Sequence, residues 1–336
     1  MDEDRLRTYA VPVSLNMRVP LCSFVPPHVL RALAENGDRA DRERAYAALE
    51  LSSQARGERQ AAAVIAGAVR VPPGERRRTI FDARNGVELP GRRMRGEGER
   101  ATGDLAADEA YDASGRSWDY FRRVHGRASI DDRGMRIDST VHYAKRFNNA
   151  QWNGAQMVYG DGDGKYFNRF TSCVDVVAHE LAHGLTQYTA RLGMSGQAGA
   201  LAEHFADVFG ILVKQWTKKQ RARRGDWLVG RGLFTRRVDG DAIRSMKAPG
   251  TAYDDPVLGR DPQPSHMRDL VRTESDNRGV HINSGIPNFA FYTAATLLGG
   301  NAWEVAGRVW YDALTMRLGP RARFTTCAVA TWEAAG

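Results

Sequence analysis

The sequence predicts a two-lobed α+β fold in which a β-rich lobe precedes a helical lobe. Residues 79–172 form short runs broken by Gly, Asn and Asp, which is typical of strands joined by tight turns, and one helix is expected at 108–125. Beyond Cys173 the apolar residues recur at intervals of three and four, as in residues 174–189 and 197–217. This change of period divides the chain near residue 173.

The first 78 residues are interpreted as an N-terminal extension followed by a short accessory segment. Residues 38–68 are rich in Ala, Arg, Glu and Leu, with apolar residues at helical spacing, so a helix is expected there. It cannot continue through Val71-Pro72-Pro73-Gly74, and the basic run Arg76-Arg77-Arg78 follows. A flexible boundary and a cleavage site are therefore expected at this point. The predicted division is 1–78, 79–172 and 173–336.

Composition and charge narrow the classes of function. The chain has 336 residues, of which 42% are hydrophobic, and no apolar run approaches the roughly 20 residues of a membrane span. The net charge of +8 could attract nucleic acid, but no aromatic residues interleave with the arginines as they do in nucleic-acid binders. We expect a monomer that binds neither membranes nor nucleic acid.

The N-terminus and the cysteines bear on the cellular compartment. Met1-Asp2-Glu3-Asp4 is acidic where a secretory signal is basic, so a conventional signal peptide is not expected. The three cysteines form no CxxC pair, which excludes a disulfide scaffold and fits a reducing compartment. The prediction is a cytoplasmic location or export by an unconventional route.

A metal-binding motif lies inside one of the predicted helices. His179-Glu180-Leu181-Ala182-His183 places two imidazoles four residues apart on one helix face, so both can reach a single tetrahedral zinc ion. Glu180 would then flank the open coordination position. The alternative is a helix whose histidines only face solvent, and a third ligand must decide between the two.

Two known layouts could supply that third ligand. The metzincin layout requires Gly and His where this chain has Thr186 and Thr189, so it fails. The other layout takes a glutamate from the next helix, and Glu203 lies there. Asp207, four residues further on, shares the face of Glu203 and can accept the second N–H of a ligand imidazole. Cys22 could also reach the metal from a blocking segment, although a small buried thiol is the favoured interpretation.

Further segments carry a resemblance to a known family. They are 148–154, 175–210, 243–246, 276–285 and Pro26-Pro27-His28-Val29-Leu30. With the motif above, the chain resembles the thermolysin-like zinc metallopeptidases, and within them the protealysin-like branch with a short propeptide, over most of residues 20–332. The resemblance implies a two-lobed α+β metallopeptidase with the His-Glu-x-x-His helix between the lobes.

The resemblance also implies roles for individual residues. His179, His183 and Glu203 match the zinc ligands and Glu180 the general base, while His281, held by Asp276, matches the histidine that stabilises the oxyanion. The substrate-binding positions match Asn149, Ala150, Arg244, Phe167, Phe170, Val176, Val229 and Ile243. We expect a zinc-dependent endopeptidase precursor that cuts peptides or proteins on the N-terminal side of bulky hydrophobic residues, with its own propeptide as a further partner.

Three substitutions near the site weaken the match. Met194, Ala202 and Gln151 stand where the family has a tyrosine, an asparagine and an aromatic residue. The alternative expectation is therefore a catalytically weakened zinc-binding homologue that binds peptides or a partner protein. The last helix of the family is also expected to be missing.

The usual double calcium site of the family is expected to be absent. Asp175 and Asp226 remain, but the positions of three glutamates are occupied by Lys214, Leu228 and Arg231. Because a calcium ion needs several anionic oxygens, we hypothesise that the Lys214 ammonium takes its place between the two aspartates.

Overall fold

The computed structural model describes residues 23–62 and 74–336, with side chains described for 23–52 and 74–336. Residues 1–22 and 63–73 lie outside the described residues. The predictions about Cys22, about the N-terminal signal and about the break at Pro72-Pro73 therefore concern residues that the structure does not describe. None of the helices in the described ranges combines the length and apolar character that a bilayer crossing requires.

A sheet organises the first lobe. Within the described residues its five strands are β1 (Arg78–Asp82), β2 (Arg92–Gly96), β3 (Ile137–Val141), β4 (Ala150–Trp152) and β5 (Met157–Tyr159). Their order is β2-β1-β3-β5-β4, in which β3 is parallel to β1 and β5, while β2 and β4 are antiparallel to their neighbours. β4 therefore lies at an edge of the sheet, where a further extended segment can pair with its backbone.

The helix expected at 108–125 packs against this sheet as α3 (Leu105–His125). It begins earlier than the apolar pattern indicated because the Asp104 carboxylate accepts a hydrogen bond from the Ala107 N–H and caps the first turn. It ends at Gly126, whose φ of 69° is the left-handed conformation that favours glycine at a helix end.

The second lobe is helical, as the sequence predicts. Its helices are α4 (Val174–Tyr188), α5 (Gly196–Lys218), α6 (Asp276–Asn283), α7 (Gly285–Leu298), α8 (Ala306–Asp312) and α9 (Phe324–Ala335). Two-residue strands also pair here, β6 (Leu228–Val229) with β7 (Arg244–Ser245) and β8 (Asp254–Asp255) with β9 (Gly259–Arg260). The apolar spacing of residues 302–318 predicts one helix, but α8 is followed by a π-helical turn at Ala313–Arg317.

Helix α4 lies between the two lobes and packs on β4, α3 and α5. Its contact with α5 depends on Gly210, because a Cβ there would lie 2.7 Å from the Asp175 carbonyl oxygen and 3.5 Å from the His179 backbone nitrogen. The missing side chain lets the two helices approach closely. The motif helix and the helix that carries Glu203 are therefore direct neighbours.

Two helices precede the sheet, α1 (Pro27–Asn36) and α2 (Arg39–Ala62). The apolar face of α1 is buried, through Val29, Leu30 and Leu33, and joins the main hydrophobic core. Pro27 suits the first helical turn because its missing N–H has no intrahelical partner there.

A polar anchor fixes the start of α2. The buried Asp41 carboxylate accepts hydrogen bonds from Lys165 Nζ (2.6 Å) and Tyr166 Oη (3.2 Å) of the β-rich lobe. Lys165 Nζ also donates to Asp38 (2.8 Å). The residues before the sheet are therefore docked by both apolar burial and charge.

Candidate metal site and active-site cleft

Three potential metal ligands converge between α4 and α5. His179 and His183 lie one turn apart on α4, and Glu203 faces them from α5, with ligand atoms of all three within 4.8 Å of one another. The Nε2 atoms of the two histidines are 3.1 Å apart, and each lies 3.6 Å from a Glu203 carboxylate oxygen. All three side chains are buried. The geometry brings together the trio that the sequence predicts.

The environment of Glu203 fits a bound cation. Both of its carboxylate oxygens are buried and have no hydrogen-bond partner among the described residues. Burying a carboxylate without a hydrogen-bond donor is costly, and the nearby His281 Nε2, 3.5 Å from Glu203 Oε2, donates its hydrogen bond to the Ser23 carbonyl, so both Glu203 oxygens stay available to a cation. Two imidazole nitrogens and a carboxylate oxygen, with room for a further ligand, are a donor set that zinc prefers in catalytic sites.

The Asp207 carboxylate orients the first histidine. His179 Nδ1–H donates to Asp207 (2.8 Å), which leaves the Nε2 lone pair directed at the metal position. Asp207 also accepts hydrogen bonds from Arg244 Nε (2.9 Å), Arg244 Nη2 (2.8 Å) and Asn288 Nδ2 (2.8 Å). Burial raises the pKa of Asp207, but Arg244 and His179 outweigh burial and hold this pKa well below its usual range. The carboxylate therefore stays ionised.

Asn288 was not identified from the sequence, and it extends the network further. Its Oδ1 accepts a hydrogen bond from His204 Nδ1 (2.8 Å), and His204 Nε2 accepts one from Trp310 Nε1 (2.8 Å). His204 thus faces away from the metal trio, as its position on α5 indicated. No local pattern marks Asn288, because it lies 81 residues from the aspartate that it contacts.

The candidate general base is buried beside the trio. Glu180 follows His179 on α4, and its Oε2 accepts a hydrogen bond from the Trp152 N–H of β4 (2.7 Å). This contact fixes the carboxylate against the edge strand of the sheet.

His281 is held on the opposite wall by a strained turn. Residues Asp276 to Gly279 all have φ between 50° and 73°, so the start of α6 is left-handed. The turn lets Asp276 accept from both His281 Nδ1 (2.6 Å) and the His281 N–H (2.9 Å). Burial lowers the pKa of His281, but the charges of Asp276 and Glu203 outweigh it and raise this pKa to about 9. His281 is therefore protonated at neutral pH.

The backbone of residues 23–25 lies along β4 in the cleft. The Phe24 N–H donates to the Ala150 carbonyl (3.0 Å), and Ser23 forms an antiparallel bridge with Gln151. The Val25 N–H donates to Asn149 Oδ1 (2.8 Å), and Asn149 Nδ2 donates back to the Val25 carbonyl (3.3 Å). The segment thus pairs as an added strand at the edge of the sheet.

Two cationic side chains donate hydrogen bonds to carbonyl groups of residues 23–25. Arg244 Nη1 donates to the Phe24 carbonyl (3.1 Å), and His281 Nε2 donates to the Ser23 carbonyl (3.1 Å). Arg244 therefore donates hydrogen bonds to both Asp207 and residues 23–25, whereas the sequence predicts only a contact with the substrate. The sequence does not predict that residues 23–25 are the part of the propeptide segment that binds in the cleft, or that Ser23 faces His281.

The Phe24 side chain fills a buried apolar position. Its ring lies edge-on to His179 with centroids 5.2 Å apart, and under the Arg244 guanidinium at 4.8 Å. A Cβ at Gly230 would lie 3.1 Å from two Phe24 ring carbons and 3.5 Å from Ile243, so the ring packs against the β6–β7 hairpin. The residues expected to line this pocket are all buried; they are Phe167, Phe170, Val176, Val229 and Ile243.

The three substitutions that departed from the family pattern lie near the cleft without entering the metal trio. Ala202 is buried on α5 beside Glu203, and the Met194 backbone packs against Gly199 at the start of that helix. Gln151 is buried in β4, and its Oε1 has no hydrogen-bond partner among the described residues. The trio keeps its arrangement despite these changes.

A second charged cluster lies further along the same two helices. Lys214 Nζ contacts Asp175 at 2.9 Å and Asp226 at 3.3 Å, and it donates to the Leu228 carbonyl. The Gly230 N–H also donates to Asp175 (2.9 Å). The ammonium thus lies between the two aspartates, where the sequence hypothesis puts it.

Comparison with protein-family models covers most of the chain in two parts. Residues 75–187 match the model described as thermolysin metallopeptidase, catalytic domain. Residues 190–336 match the model described as thermolysin metallopeptidase, alpha-helical domain. The two matches meet just after the motif helix.

Individual relatives and a solved structure agree with the family models. The chain is 48% identical over 301 residues to an extracellular metalloprotease of Pectobacterium carotovorum subsp. carotovorum, which covers 88% of this chain and 84% of that protein. It is 39% identical over 267 residues to thermolysin of Alicyclobacillus acidocaldarius subsp. acidocaldarius, covering 76% of this chain and 46% of that protein. The solved precursor of protealysin, a metalloproteinase from Serratia proteamaculans, is similar with a TM-score of 0.86 and 48% identity, over 94% of this chain and 93% of that one. The chain therefore belongs to the thermolysin family of metallopeptidases.

Proposed function

We propose that this chain is the precursor of a zinc-dependent endopeptidase that cuts on the N-terminal side of bulky hydrophobic residues. One observation carries the proposal. The buried His179, His183 and Glu203 trio lies beside an extended backbone whose Ser23 carbonyl contacts His281 and whose next side chain, Phe24, fills an apolar position.

His179, His183 and Glu203 would hold the zinc, which when bound lowers the pKa of a coordinated water to roughly 7 and polarises a carbonyl. Glu180 is the general base in this proposal, because it adjoins His179 and the Trp152 N–H fixes its carboxylate. It accepts the proton of the attacking water and transfers it to the leaving amine.

His281 and Arg244 position the substrate and stabilise developing charge. His281 donates from Nε2 to the carbonyl that is attacked, as it does to Ser23. Arg244 and Asn149 hold the backbone on the far side of the scissile bond, as they do at Phe24 and Val25. These groups keep the peptide extended and in one register.

The pocket that holds the Phe24 side chain is proposed to set the preference for the substrate residue after the scissile bond. We propose that aromatic and branched aliphatic side chains line the position after the scissile bond, so that a buried Phe, Leu or Ile gains most from binding there. Substituting an acidic residue at this position would bury an unpaired charge among apolar groups, and such peptides are excluded.

Residues 1–78 are proposed to be an N-terminal extension and a propeptide that blocks the cleft until it is removed. Residues 23–25 occupy the backbone-binding positions that a substrate needs, so both cannot bind together. Arg78 is buried in β1 and hydrogen-bonded to Glu97, so we place the separating cut just before this residue, one position earlier than the 1–78 division that the sequence predicts.

Lys214 is proposed to replace the calcium of the family site. Its ammonium neutralises Asp175 and Asp226 and satisfies the Leu228 carbonyl, which are the anionic and neutral oxygens that a calcium ion would otherwise use.

The test uses a quenched peptide with Phe after the scissile bond, incubated with the zinc-loaded protein after its N-terminal segment has been cleaved. We expect cleavage before Phe that a chelator abolishes and that falls about 10²–10⁴-fold in Glu180→Gln while zinc stays bound. A peptide with Asp in place of Phe serves as the matched control. Bound zinc with no cleavage of either peptide would contradict the proposal.

A further inference from the structure

We infer that the Ser23–Phe24 peptide bond is the first bond that this chain cuts, within its own molecule, before the propeptide is separated. The inference rests on the proposed function and adds a processing site at residue 23. It makes the segment in the cleft a substrate rather than an uncut plug.

The register of the segment carries the inference. Each backbone polar group from the Ser23 carbonyl to the Val25 carbonyl has a partner, in chain order His281, Ala150, Arg244, Asn149 and Asn149 again. The segment therefore runs in one fixed direction, with its contacts unbroken across the Ser23–Phe24 bond. A segment shifted by one residue would turn the bonded N–H away from the Ala150 carbonyl and the bonded carbonyl away from Arg244, so both hydrogen bonds would be lost.

The bond also lies beside the metal trio. His281 Nε2 is 3.1 Å from the Ser23 carbonyl oxygen and 3.5 Å from Glu203 Oε2, so the carbonyl and the ligand carboxylate share one imidazole. The Phe24 ring lies against His179, the first ligand of the motif. The carbonyl at the trio thus belongs to residue 23, and the pocket holds the side chain of residue 24.

The chemical step is a hydrolysis. A water oxygen adds to the Ser23 carbonyl carbon, and the bond between this carbon and the Phe24 nitrogen breaks. Glu180 accepts the water proton and delivers a proton to the Phe24 nitrogen as it leaves. The products are a carboxylate at Ser23 and an amine at Phe24, with no other reactant consumed.

The cut would not free the cleft. Residues from Phe24 onward stay anchored by the buried face of α1 and by Asp41, which Lys165 and Tyr166 hold. Tethering keeps Phe24 at a high effective concentration next to its pocket. Residues 1–23 therefore leave first, and peptidase activity toward added peptides appears only after a second cut between α2 and β1.

The experiment follows the full-length chain by mass spectrometry after zinc is added to metal-free protein. We expect a new N-terminus at Phe24 to appear before any other cut, at a rate that does not change over a 100-fold range of protein concentration. Phe24→Leu should keep the cut within a few-fold, whereas Phe24→Asp should slow it roughly 100-fold because a charged carboxylate would replace an apolar side chain in a buried position. Tyr46→Ala removes an exposed aromatic from α2 and is the matched control with an unchanged rate.

A second measurement does not depend on catalysis. Amide hydrogen exchange of full-length Glu180→Gln should show protected Phe24 and Val25 N–H groups, and Phe24→Asp in that background should expose both. Rapid exchange of these two amides in Glu180→Gln would overturn the register. If the bond between residues 23 and 24 stays intact while the matured protein cuts the Phe peptide, the inference fails and the proposed endopeptidase stands. A cut whose rate rises with protein concentration would also overturn it.

Discussion

Two buried charged clusters between α4 and α5 satisfy their carboxylates in opposite ways. Around Glu203 both carboxylate oxygens lack a hydrogen-bond donor and face two imidazole nitrogens 3.6 Å away. Around Asp175 the carboxylate accepts from Lys214 and from the Gly230 N–H. The comparison teaches that one cluster leaves its carboxylate oxygens without hydrogen-bond donors and available to a metal ion, whereas the other fills that place with the ammonium of Lys214.

The largest effect is expected from Glu203→Gln. This change removes the anionic ligand while preserving shape, so zinc affinity should fall by far more than the 10–100-fold typical of losing an outer partner. Isothermal titration of the metal-free protein with zinc measures it. Asp207→Asn is the comparison variant, with a loss of about 10–100-fold, since Asp207 does not itself contact the metal position and affects it through its hydrogen bond with His179. Equal affinities for wild type and Glu203→Gln would break the contrast between the two clusters.

Lys214→Met should be the next largest effect, and it should act on stability. Removing the ammonium leaves Asp175 buried without its cation, which should lower the free energy of unfolding by about 3–5 kcal/mol, while Asp226 keeps Arg231 at 3.7 Å. Chemical denaturation of the metal-free protein measures this cost. Lys218→Met, one turn further along α5 and exposed, should change stability by less than about 0.5 kcal/mol.

Calcium sharpens the same comparison. Zinc at 100 times its dissociation constant should stabilise the wild type by about 2.7 kcal/mol, whereas calcium at millimolar concentration should leave its melting temperature unchanged. A rise of many degrees with calcium would show that Lys214 does not replace the ion.

The smallest effect concerns a half-exposed cluster in the first lobe. His142 contacts Asp161 (2.8 Å) and Asp104 (3.1 Å), and the hydrogen bond to Asp161, against the effect of burial, raises the pKa of His142 from 6.5 to about 9. Because the folded-state pKa is raised, the stabilisation is complete below pH 6.5 and is lost as the pH rises through about 9. The difference in unfolding free energy between wild type and His142→Gln should be no more than about 1 kcal/mol below pH 6.5 and should shrink as the pH rises through about 9. A difference that grows with pH would contradict this assignment.

Much of the candidate site could be placed from sequence because it is local. His179 and His183 are one turn apart, and Glu203 and Asp207 share a face of the next helix, so helical periodicity is sufficient to orient each pair. The Lys214 contact followed from the resemblance to the family's calcium site together with charge, since two aspartates without the family's glutamates need another cation. The lobes and α3 followed from the change in hydrophobic period.

The remainder depends on contacts between distant parts of the chain. Asn288 reaches Asp207 across 81 residues, and Phe24 reaches Arg244 across 220, so no local pattern records either pair. The sequence predicts a propeptide but not the register in which residues 23–25 pair with β4, because hydrogen bonding to an edge strand is made by backbone atoms that are the same in every residue. The contact between Arg244 and Asp207 was also not predicted, because Asp207 had been assigned only as the hydrogen-bond partner of His179.

The edge position of β4 has a consequence for what this protein can digest. A substrate chain that binds along β4 must lose its own secondary structure and pair as an added strand, as residues 23–25 pair. Compact helical or sheet regions of a target protein are therefore protected by their own folding free energy, and loops or locally unfolded stretches are cut first. The proposed removal of residues 23–25 would leave the backbone of this strand open to pairing with any extended peptide.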